Sequence, residues 1–251
     1  MTPLSLYPEA NSSPMRPEVI INCAMSADGK IALPSRRQTR ISCEEDIARV
    51  HRLRSSCDAV LVGIGTVLQD DPSLTVKEKY VRRPRQPLRV VLDSRGRTPE
   101  GARVLSPEAR TIVATTDAAP PREWGASVDV LRLGPGPRVP LSPLLEELSA
   151  RGVRRLLVEG GEEVIGSFVA EGLFDRLLIY VGSIVLGGRG PTPAGGEGAS
   201  SLEEASRLRL LRVRRIGDGV LLDYRPAGPA GGGGGAAGGR ESRPARGGAG
   251  R

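Results

Sequence analysis

Short apolar runs alternate along the chain with longer segments whose apolar residues recur at helical spacing. Runs of five to nine residues that are rich in apolar side chains and bounded by polar or glycine-containing turns predict strands. The predicted strands cover residues 19–26, 59–63, 88–93, 111–115, 128–133, 154–159, 176–182, 207–215 and 219–226. The last two are separated only by a short turn around Gly217, which predicts a hairpin.

Three segments between these strands carry helix signals. Ser42 and Glu45 have the spacing of a capping box and predict a helix that runs to about Ser56. Residues 141–152 and 162–172 predict two more helices, each ending at a glycine. Strands that alternate with helices imply a parallel sheet covered on both faces. The predicted class is therefore α/β, a three-layer αβα domain with a mixed, mostly parallel sheet and an antiparallel C-terminal edge.

The composition changes near both ends of the chain. Residues 1–16, rich in Pro, Ser and Asn, predict a flexible lead, and residues 17–226 predict one globular domain. Residues 227–251 consist mainly of Gly, Ala and Arg. Such a composition cannot bury enough apolar surface to offset the entropy of ordering, so we expect a disordered tail.

The net charge of +7 and the pI of about 9.9 indicate a negatively charged partner. Only 3% of the residues are aromatic, whereas sequence-independent nucleic-acid binding combines basic groups with aromatic ones. A phosphate-bearing small molecule explains the charge equally well. A nucleic-acid-binding function of the Arg/Gly tail stays open as an alternative, although we expect no nucleic-acid partner.

Other protein classes are excluded by what the sequence lacks. The scattered Cys23, Cys43 and Cys57 suit neither a disulfide framework nor a zinc knuckle, and the single histidine, His51, cannot form a multi-histidine metal site. We therefore expect no metal. No stretch approaches the roughly 18 apolar residues of a membrane helix, and the N-terminus lacks the pattern of a secretory signal. The expected location is the cytoplasm, without membrane contact.

Two glycine-bearing turns that follow strands could hold a nucleotide, because ligands of open α/β sheets bind beyond the carboxyl ends of strands. Gly63 and Gly65 would let the backbone approach an anion, with the Thr66 hydroxyl nearby, although an ordinary tight turn is equally compatible. The segment from Glu159 through Gly160 and Gly161 to Glu162 and Glu163 could cradle a pyrophosphate on its N–H groups, and a simple strand-to-helix turn is again the alternative.

The segment Asp93-Ser94-Arg95-Gly96-Arg97 also follows a predicted strand. Its hydroxyl and two guanidinium groups could pair with a ribose 2′-phosphate, which would favour NADP over NAD, although a solvated turn has the same sequence pattern. At the end of the first strand, Asp28 and Lys30 place a carboxylate and an ammonium beside Gly29. His51 lies in the middle of a predicted helix, where a packed or surface position is expected.

Taken in order, these segments resemble the reductase family of bacterial and archaeal riboflavin synthesis, in particular its stand-alone archaeal type. The family is related to the C-terminal domain of bifunctional riboflavin deaminase-reductases. The resemblance covers roughly residues 17–226. The matching pieces are Met25-Ser26-x-Asp28-Gly29-Lys30, Arg40-Ile41-Ser42, His51-x-x-Arg54, Gly63-x-Gly65-Thr66-Val67-Leu68-x-Asp70-Asp71-Pro72-x-Leu74-Thr75, Val91-Leu92-Asp93-Ser94 and Glu159-Gly160-Gly161.

This resemblance implies a dihydrofolate-reductase-like fold, a homodimer, and NADPH-dependent reduction of a phosphorylated ribosylaminopyrimidine. The implied cofactor contacts are Thr66, Asp70, Ser94 and the stretch from Gly161 through Glu162, Glu163, Val164 and Ile165 to about Ser167. The implied substrate contacts are Lys30, Arg54, Leu74 and Glu159, with Lys77 where bifunctional relatives carry an arginine.

We expect Lys30, Glu159 and Asp28 to be catalytic, with Lys30 and Glu159 facing each other across the substrate. Arg40 replaces a tryptophan of the bifunctional members, which leaves its cofactor contact open. The alternative enzyme is a dihydrofolate-type or other pteridine-like reductase on the same fold. Its pocket would be rich in aromatic residues, whereas this chain holds two phenylalanines.

Overall fold

A computed structural model of the chain describes residues 16–35 and 39–227. The predicted lead and tail therefore lie almost entirely outside the described residues. In chain order the elements are β1 (Glu18–Ser26), α1 (Glu44–Ser55), β2 (Ala59–Gly63), α2 (Ile64–Asp70), β3 (Leu88–Leu92), a 3-10 turn (Arg103–Leu105), β4 (Thr111–Thr115), β5 (Val128–Arg132), α3 (Leu141–Ala150), β6 (Arg155–Val158), α4 (Glu162–Ala170), β7 (Arg176–Gly182), β8 (Leu208–Ile216) and β9 (Gly219–Pro226). Within these two ranges, no helix has the length and apolar character needed to span a bilayer.

The strands form one nine-stranded sheet in the order β5-β4-β3-β2-β6-β1-β7-β9-β8. Neighbouring strands from β5 to β7 in this order are parallel, whereas β9 is antiparallel to β7 and β8 is antiparallel to β9. The central strands β2 and β6 are nearly continuous apolar runs because helices cover both of their faces. The predicted mixed sheet with an antiparallel C-terminal edge is confirmed.

Two apolar clusters lie on opposite faces of this sheet. On one face, Leu144 and Leu148 of α3 and Phe168 of α4 are fully buried. On the other face, Ile64 and Val67 of α2 pack with the strands. Burying each such side chain contributes about 1.5–3 kcal/mol to folding. The predicted three-layer arrangement is confirmed.

The capping box predicted at Ser42 is wrong. Helix α1 begins at Glu44 with Cys43 at the N-cap, and the Cys43 side chain makes no capping bond within the described chain. Ser42 Oγ instead donates to Asp46 Oδ2 at 2.7 Å. Asp46 is buried and also pairs with Arg49, so it competes for the hydroxyl that the helix N-terminus would otherwise use.

Helix α2 was not among the predicted helices, since its first residues were interpreted as a glycine-bearing turn. The helix is short and contains Gly65 and Thr66, which are poor helix formers. Gly63, which precedes it, lies against α4: a Cβ added there would be 2.7 Å from Val164 Cγ2. Because Gly63 has no side chain, β2 and α4 can pack closely at this position.

Candidate active site at the carboxyl edge of the sheet

The predicted site segments lie along one edge of the sheet. Strands β3, β2, β6 and β1 are adjacent and parallel, so their carboxyl ends lie on the same side. The turns after β2 and β6 and the loop after β1 are therefore neighbours, and the turn after β3 is next to them. In open α/β sheets this edge is the usual place for a ligand.

The two glycine turns are in direct contact. Gly63 N donates to Gly160 O at 3.0 Å, and a Cβ added at Gly161 would lie 3.5 Å from Thr66 Oγ1. Gly160 has a φ of +112°, which a glycine adopts readily, and the Gly160–Gly161 peptide bond is cis. Together with the N-terminus of α4, the turns form a cradle of backbone and hydroxyl groups that a Cβ at Gly161 would narrow.

The side chains that follow Gly161 have different surroundings. Glu162 and Glu163 occupy the first turn of α4. Val164 packs against Gly63, and Ile165 is buried in the core, so these two support the turn from behind. The backbone N–H groups of this turn carry the positive end of the helix dipole, which suits a phosphate.

Asp70, at the end of α2, has a buried oxygen in need of a partner. Its Oδ1 atom has no hydrogen-bond partner among the described residues. Burial raises the pKa of this carboxyl group above its usual value. A hydrogen-bond donor from a bound cofactor would satisfy this oxygen, because unpaired buried polar atoms are costly. Asp70 therefore fits its predicted role.

The turn after β3 is fixed by its own side chains. Buried Asp93 accepts hydrogen bonds from Thr98 N and Thr98 Oγ1, both at 2.7 Å. Ser94 Oγ accepts from Val139 N at 3.1 Å, so this hydroxyl already has a partner. Arg95 and Arg97 are both exposed, and Arg97 Nε lies 3.8 Å from Asp93 Oδ1. The two guanidinium groups are therefore accessible to an anion.

A nearly buried ion pair joins α1 to the end of β6. Arg54 Nη2 lies 2.6 Å from Glu159 Oε2, and Arg54 Nε lies 2.9 Å from Glu159 Oε1. The two side chains are 17% and 9% exposed. Burial alone would lower the pKa of Arg54, but the Glu159 carboxylate more than offsets this and keeps it above its usual value. The two-point contact therefore holds both side chains in a fixed orientation.

The loop after β1 is held by Asp28. Its carboxylate accepts hydrogen bonds from Ser26 Oγ at 2.7 Å, Leu186 N at 3.0 Å and Gly187 N at 2.8 Å. These contacts, led by the Ser26 hydroxyl, lower the pKa of Asp28 to about 2. Asp28 is thus an ionised anchor for the loop, and a direct part in the reaction stays a prediction.

Lys30 leaves this loop with its ammonium available. Its backbone N donates to Ser26 Oγ at 2.9 Å, whereas its side chain has no hydrogen-bond or ion-pair partner in the described part of the chain. The expectation that Lys30 and Glu159 face each other is not tested directly, but Glu159 pairs with Arg54. Lys30 and Glu159 follow the adjacent strands β1 and β6.

The remaining predicted contacts divide between buried and exposed positions. Leu74 has a φ of +54° and is 2% exposed, so its side chain belongs to the core. Lys77 is exposed, and its backbone N donates to His51 Nδ1 at 3.3 Å. Arg40 forms an exposed ion pair with Glu44 at 3.2 Å. Its cofactor contact therefore has no support in the geometry.

Sequence reasoning missed the segment that joins the two sides of the site. Gly195 N donates to Glu162 O at 2.9 Å, and the backbone of Gly195 fills the space where a Cβ of Gly166 would be. The same segment begins at Leu186 and Gly187, which Asp28 binds. Gly166, a glycine inside a predicted helix, was the available signal, because such a glycine usually has a packing reason.

Residues 17–222 match the family described as the RibD C-terminal domain. The chain belongs to this family, and the predicted resemblance to riboflavin-biosynthesis reductases is confirmed. It is 48% identical over 221 residues to the 2,5-diamino-6-ribosylamino-4(3H)-pyrimidinone 5′-phosphate reductase of Archaeoglobus fulgidus, covering 84% of this chain and 99% of that protein. The protein of the same name from Methanothermobacter thermautotrophicus is 42% identical, with 84% and 98% covered.

A solved structure agrees with this assignment. The diaminohydroxyphosphoribosylaminopyrimidine deaminase/5-amino-6-(5-phosphoribosylamino)uracil reductase of Thermotoga maritima is 29% identical with a TM-score of 0.74. The match covers 84% of this chain and 57% of that one, so this chain spans just over half the length of the solved protein. The predicted dihydrofolate-reductase-like fold is confirmed.

Proposed function

We propose that this protein is an NADPH-dependent reductase that converts 2,5-diamino-6-ribosylamino-4(3H)-pyrimidinone 5′-phosphate into its ribitylamino product. One observation carries the proposal: the two relatives with this name are matched over 99% and 98% of their own length. The placement of Arg54 and Glu159 beside the glycine turns supports it. The pteridine-reductase and nucleic-acid alternatives have no comparable support.

The cofactor side of the site fits a dinucleotide. The Thr66 hydroxyl, the Gly160–Gly161 turn, the N-terminus of α4 and the Asp70 carboxylate are the groups that would hold it. When bound, the nicotinamide supplies the hydride that reduces the sugar carbon C1′. Arg95 and Arg97 support the choice of NADPH, because their two accessible guanidinium groups can pair with a 2′-phosphate.

The protein's own side chains bind and orient the substrate. The opened sugar presents an imine carbon and several hydroxyl groups, and Glu159, held by Arg54, can accept hydrogen bonds from these hydroxyls. The Lys30 ammonium can donate to a sugar oxygen or hold a proton beside the imine nitrogen. Lys77 can hold the phosphate as a point charge. Positioning of this kind accounts for a large share of an enzyme's rate enhancement.

We further propose a cytoplasmic homodimer whose single domain spans residues 17–226. Strand β8 ends the sheet, and it exposes Leu208, Leu210, Leu211 and Val213. An edge strand with exposed apolar side chains pairs readily with another chain. Sedimentation velocity of the full chain tests the dimer, and a monomer at micromolar concentration would contradict it.

The activity is tested by following NADPH oxidation by the purified protein with the phosphorylated pyrimidine. We expect oxidation to depend on this substrate, and mass spectrometry should show a product that has gained two hydrogens. Dihydrofolate serves as the competing substrate. Reduction of dihydrofolate but not of the pyrimidine would overturn the proposal in favour of the pteridine alternative.

A further inference from the structure

One face of helix α1 binds the irregular segment formed by residues 75–80. Arg54 Nη1 donates to Thr75 O at 3.4 Å, and His51 Nδ1 accepts from Lys77 N at 3.3 Å. About two helical turns before His51, Glu44 Oε1 accepts from the Tyr80 hydroxyl at 2.8 Å. Positions 44, 51 and 54 share one face because they are separated by nearly whole turns. Side chains of α1 therefore bind the 75–80 segment at both of its ends and near its middle.

His51 makes two contacts with this segment. Its ring stacks on Tyr80 with 4.5 Å between centroids and an interplanar angle of 15°, and the residue is only 6% exposed. Because Nδ1 accepts a hydrogen bond, the ring proton of the neutral form must be on Nε2. Burial, together with Arg54 and Lys77, lowers the pKa of His51 to about 4, so the ring is a neutral acceptor at neutral pH.

The backbone of Lys77 is held on both sides. Its N–H binds His51, and its carbonyl oxygen accepts from Tyr80 N at 3.0 Å and Val81 N at 3.2 Å. The side chain of Lys77 is exposed, so its ammonium moves on a flexible four-carbon stem. The fixed backbone therefore determines which volume the ammonium can reach.

We propose that His51 is a positioning residue for substrate-phosphate recognition: it fixes the backbone of Lys77, from which the ammonium reaches the phosphate. The inference rests on the proposed function, which supplies a phosphorylated substrate. It assigns a role to His51, a residue that has no part in the reduction step itself. A purely structural role would affect every substrate equally, whereas this role concerns only substrates that carry the phosphate.

The test compares His51→Phe with His51→Asn in the full-length enzyme. Phe keeps a ring to stack on Tyr80 and removes the acceptor, whereas Asn restores an acceptor oxygen near the place of Nδ1. We expect His51→Phe to raise KM for the phosphorylated substrate about five- to tenfold, the effect of one lost hydrogen bond, with little change in kcat. With the substrate that lacks the phosphate, kcat/KM of His51→Phe should equal that of the wild type. His51→Asn should recover most of the loss.

Lys77→Ala provides the matched control. If His51 acts through Lys77, His51→Phe should add little to the effect of Lys77→Ala, since residues of one unit are non-additive. Melting temperatures and NADPH affinity identify a variant that fails to fold. If His51→Phe fails to fold, His51→Asn is compared with the wild type instead. Equal losses of kcat/KM with both substrates would overturn the role of His51 but not the proposed function. Effects of His51→Phe and Lys77→Ala that add up would do the same. A wild-type enzyme that reduces neither substrate would overturn the proposed function and this inference together.

Discussion

The guanidinium of Arg54 and the carboxylate of Glu159 meet through Nη2–Oε2 at 2.6 Å and Nε–Oε1 at 2.9 Å, across 105 residues of sequence. Arg54 comes from the end of α1, and Glu159 directly follows β6. A two-point contact between a guanidinium and a carboxylate fixes the plane of the carboxylate as well as its position. The Glu159 carboxylate is therefore held in a defined orientation beside the Gly160–Gly161 turn.

Glu159→Gln should weaken both substrate binding and the fold. Glutamine keeps the shape of glutamate but leaves Arg54 charged and nearly buried without its counter-ion. Removing one partner of a buried pair costs up to about 3–5 kcal/mol of unfolding free energy. Urea unfolding and steady-state kinetics measure the two effects, and we expect a higher substrate KM with little change in NADPH affinity. Unchanged substrate kinetics in a destabilised variant would make the pair purely structural.

Lys30→Ala should lower kcat/KM by at least about 10²-fold, the low end for a positioned acid or base. The Lys30 backbone is fixed by Ser26 Oγ, while its ammonium remains available within the described structure. Stopped-flow measurement of NADPH oxidation tests this. Lys30→Arg is the matched control, because it keeps the charge and should retain part of the rate. Activity of Lys30→Ala within a few-fold of wild type would place the active site elsewhere.

Changing both Arg95 and Arg97 to alanine should weaken NADPH and leave NADH nearly unaffected. Charge-assisted hydrogen bonds contribute about 1.5–3 kcal/mol each, so wild type should prefer NADPH by more than about tenfold. The ratio of kcat/KM for the two cofactors measures the preference. Arg110→Ala, which removes an exposed arginine just before β4 that pairs with Asp129, is the control. Equal kcat/KM values of wild type for NADPH and NADH would remove this assignment.

Deleting residues 228–251 should leave kcat and the melting temperature nearly unchanged. This segment contains four arginines and one glutamate among glycines and alanines, and the family match ends at residue 222. The shortened enzyme is compared with the full chain by kinetics and calorimetry. Binding of both to single-stranded RNA at two salt concentrations tests the nucleic-acid alternative. A large loss of kcat on deletion would show that the segment contributes to the site.

The strands could be predicted closely from the sequence because buried parallel strands are continuous apolar runs. Ala59–Gly63 and Thr111–Thr115 have the predicted bounds. The start of α1 could not be predicted, because the Ser42 hydroxyl has two possible hydrogen-bond partners and only the packing of Asp46 selects one of them. Local sequence does not show that α1 places Asp46 in the interior.

The sequence supplies candidate site residues, but it does not show which of them pair. Lys30, Arg54 and Glu159 were all expected near the substrate, which stays a prediction. Lys30 and Glu159 follow the adjacent parallel strands β1 and β6, as their positions at strand ends suggested. Which cation meets Glu159 depends on how α1 lies over β6, which only tertiary packing determines. The same limit applied to His51, whose contacts come from a segment more than 20 residues away in sequence.

His51 should make the fold sensitive to acid between pH 6.5 and about 4. Its pKa is lowered from 6.5 to about 4 by burial, then by Arg54 and Lys77, with Glu159 and Glu44 opposing the shift. Below pH 6.5 the unfolded chain takes up a proton that the folded protein does not bind until about pH 4. The contribution of neutral His51 to stability is therefore complete above pH 6.5 and is lost as the pH falls.

Urea unfolding at pH 7 and pH 5 measures this contribution. The pKa difference corresponds to roughly 2 kcal/mol between the two pH values, since one pKa unit is worth about 1.4 kcal/mol. Wild type should therefore lose about 2 kcal/mol more unfolding free energy than His51→Phe, whose ring cannot take up a proton. Carboxylates with lowered pKa values, such as Asp28, are present in both proteins and cancel in the comparison. An equal loss in both proteins would mean that His51 is solvated well enough to titrate normally, and the assignment of His51 Nδ1 as a buried acceptor for Lys77 N would then have to be abandoned.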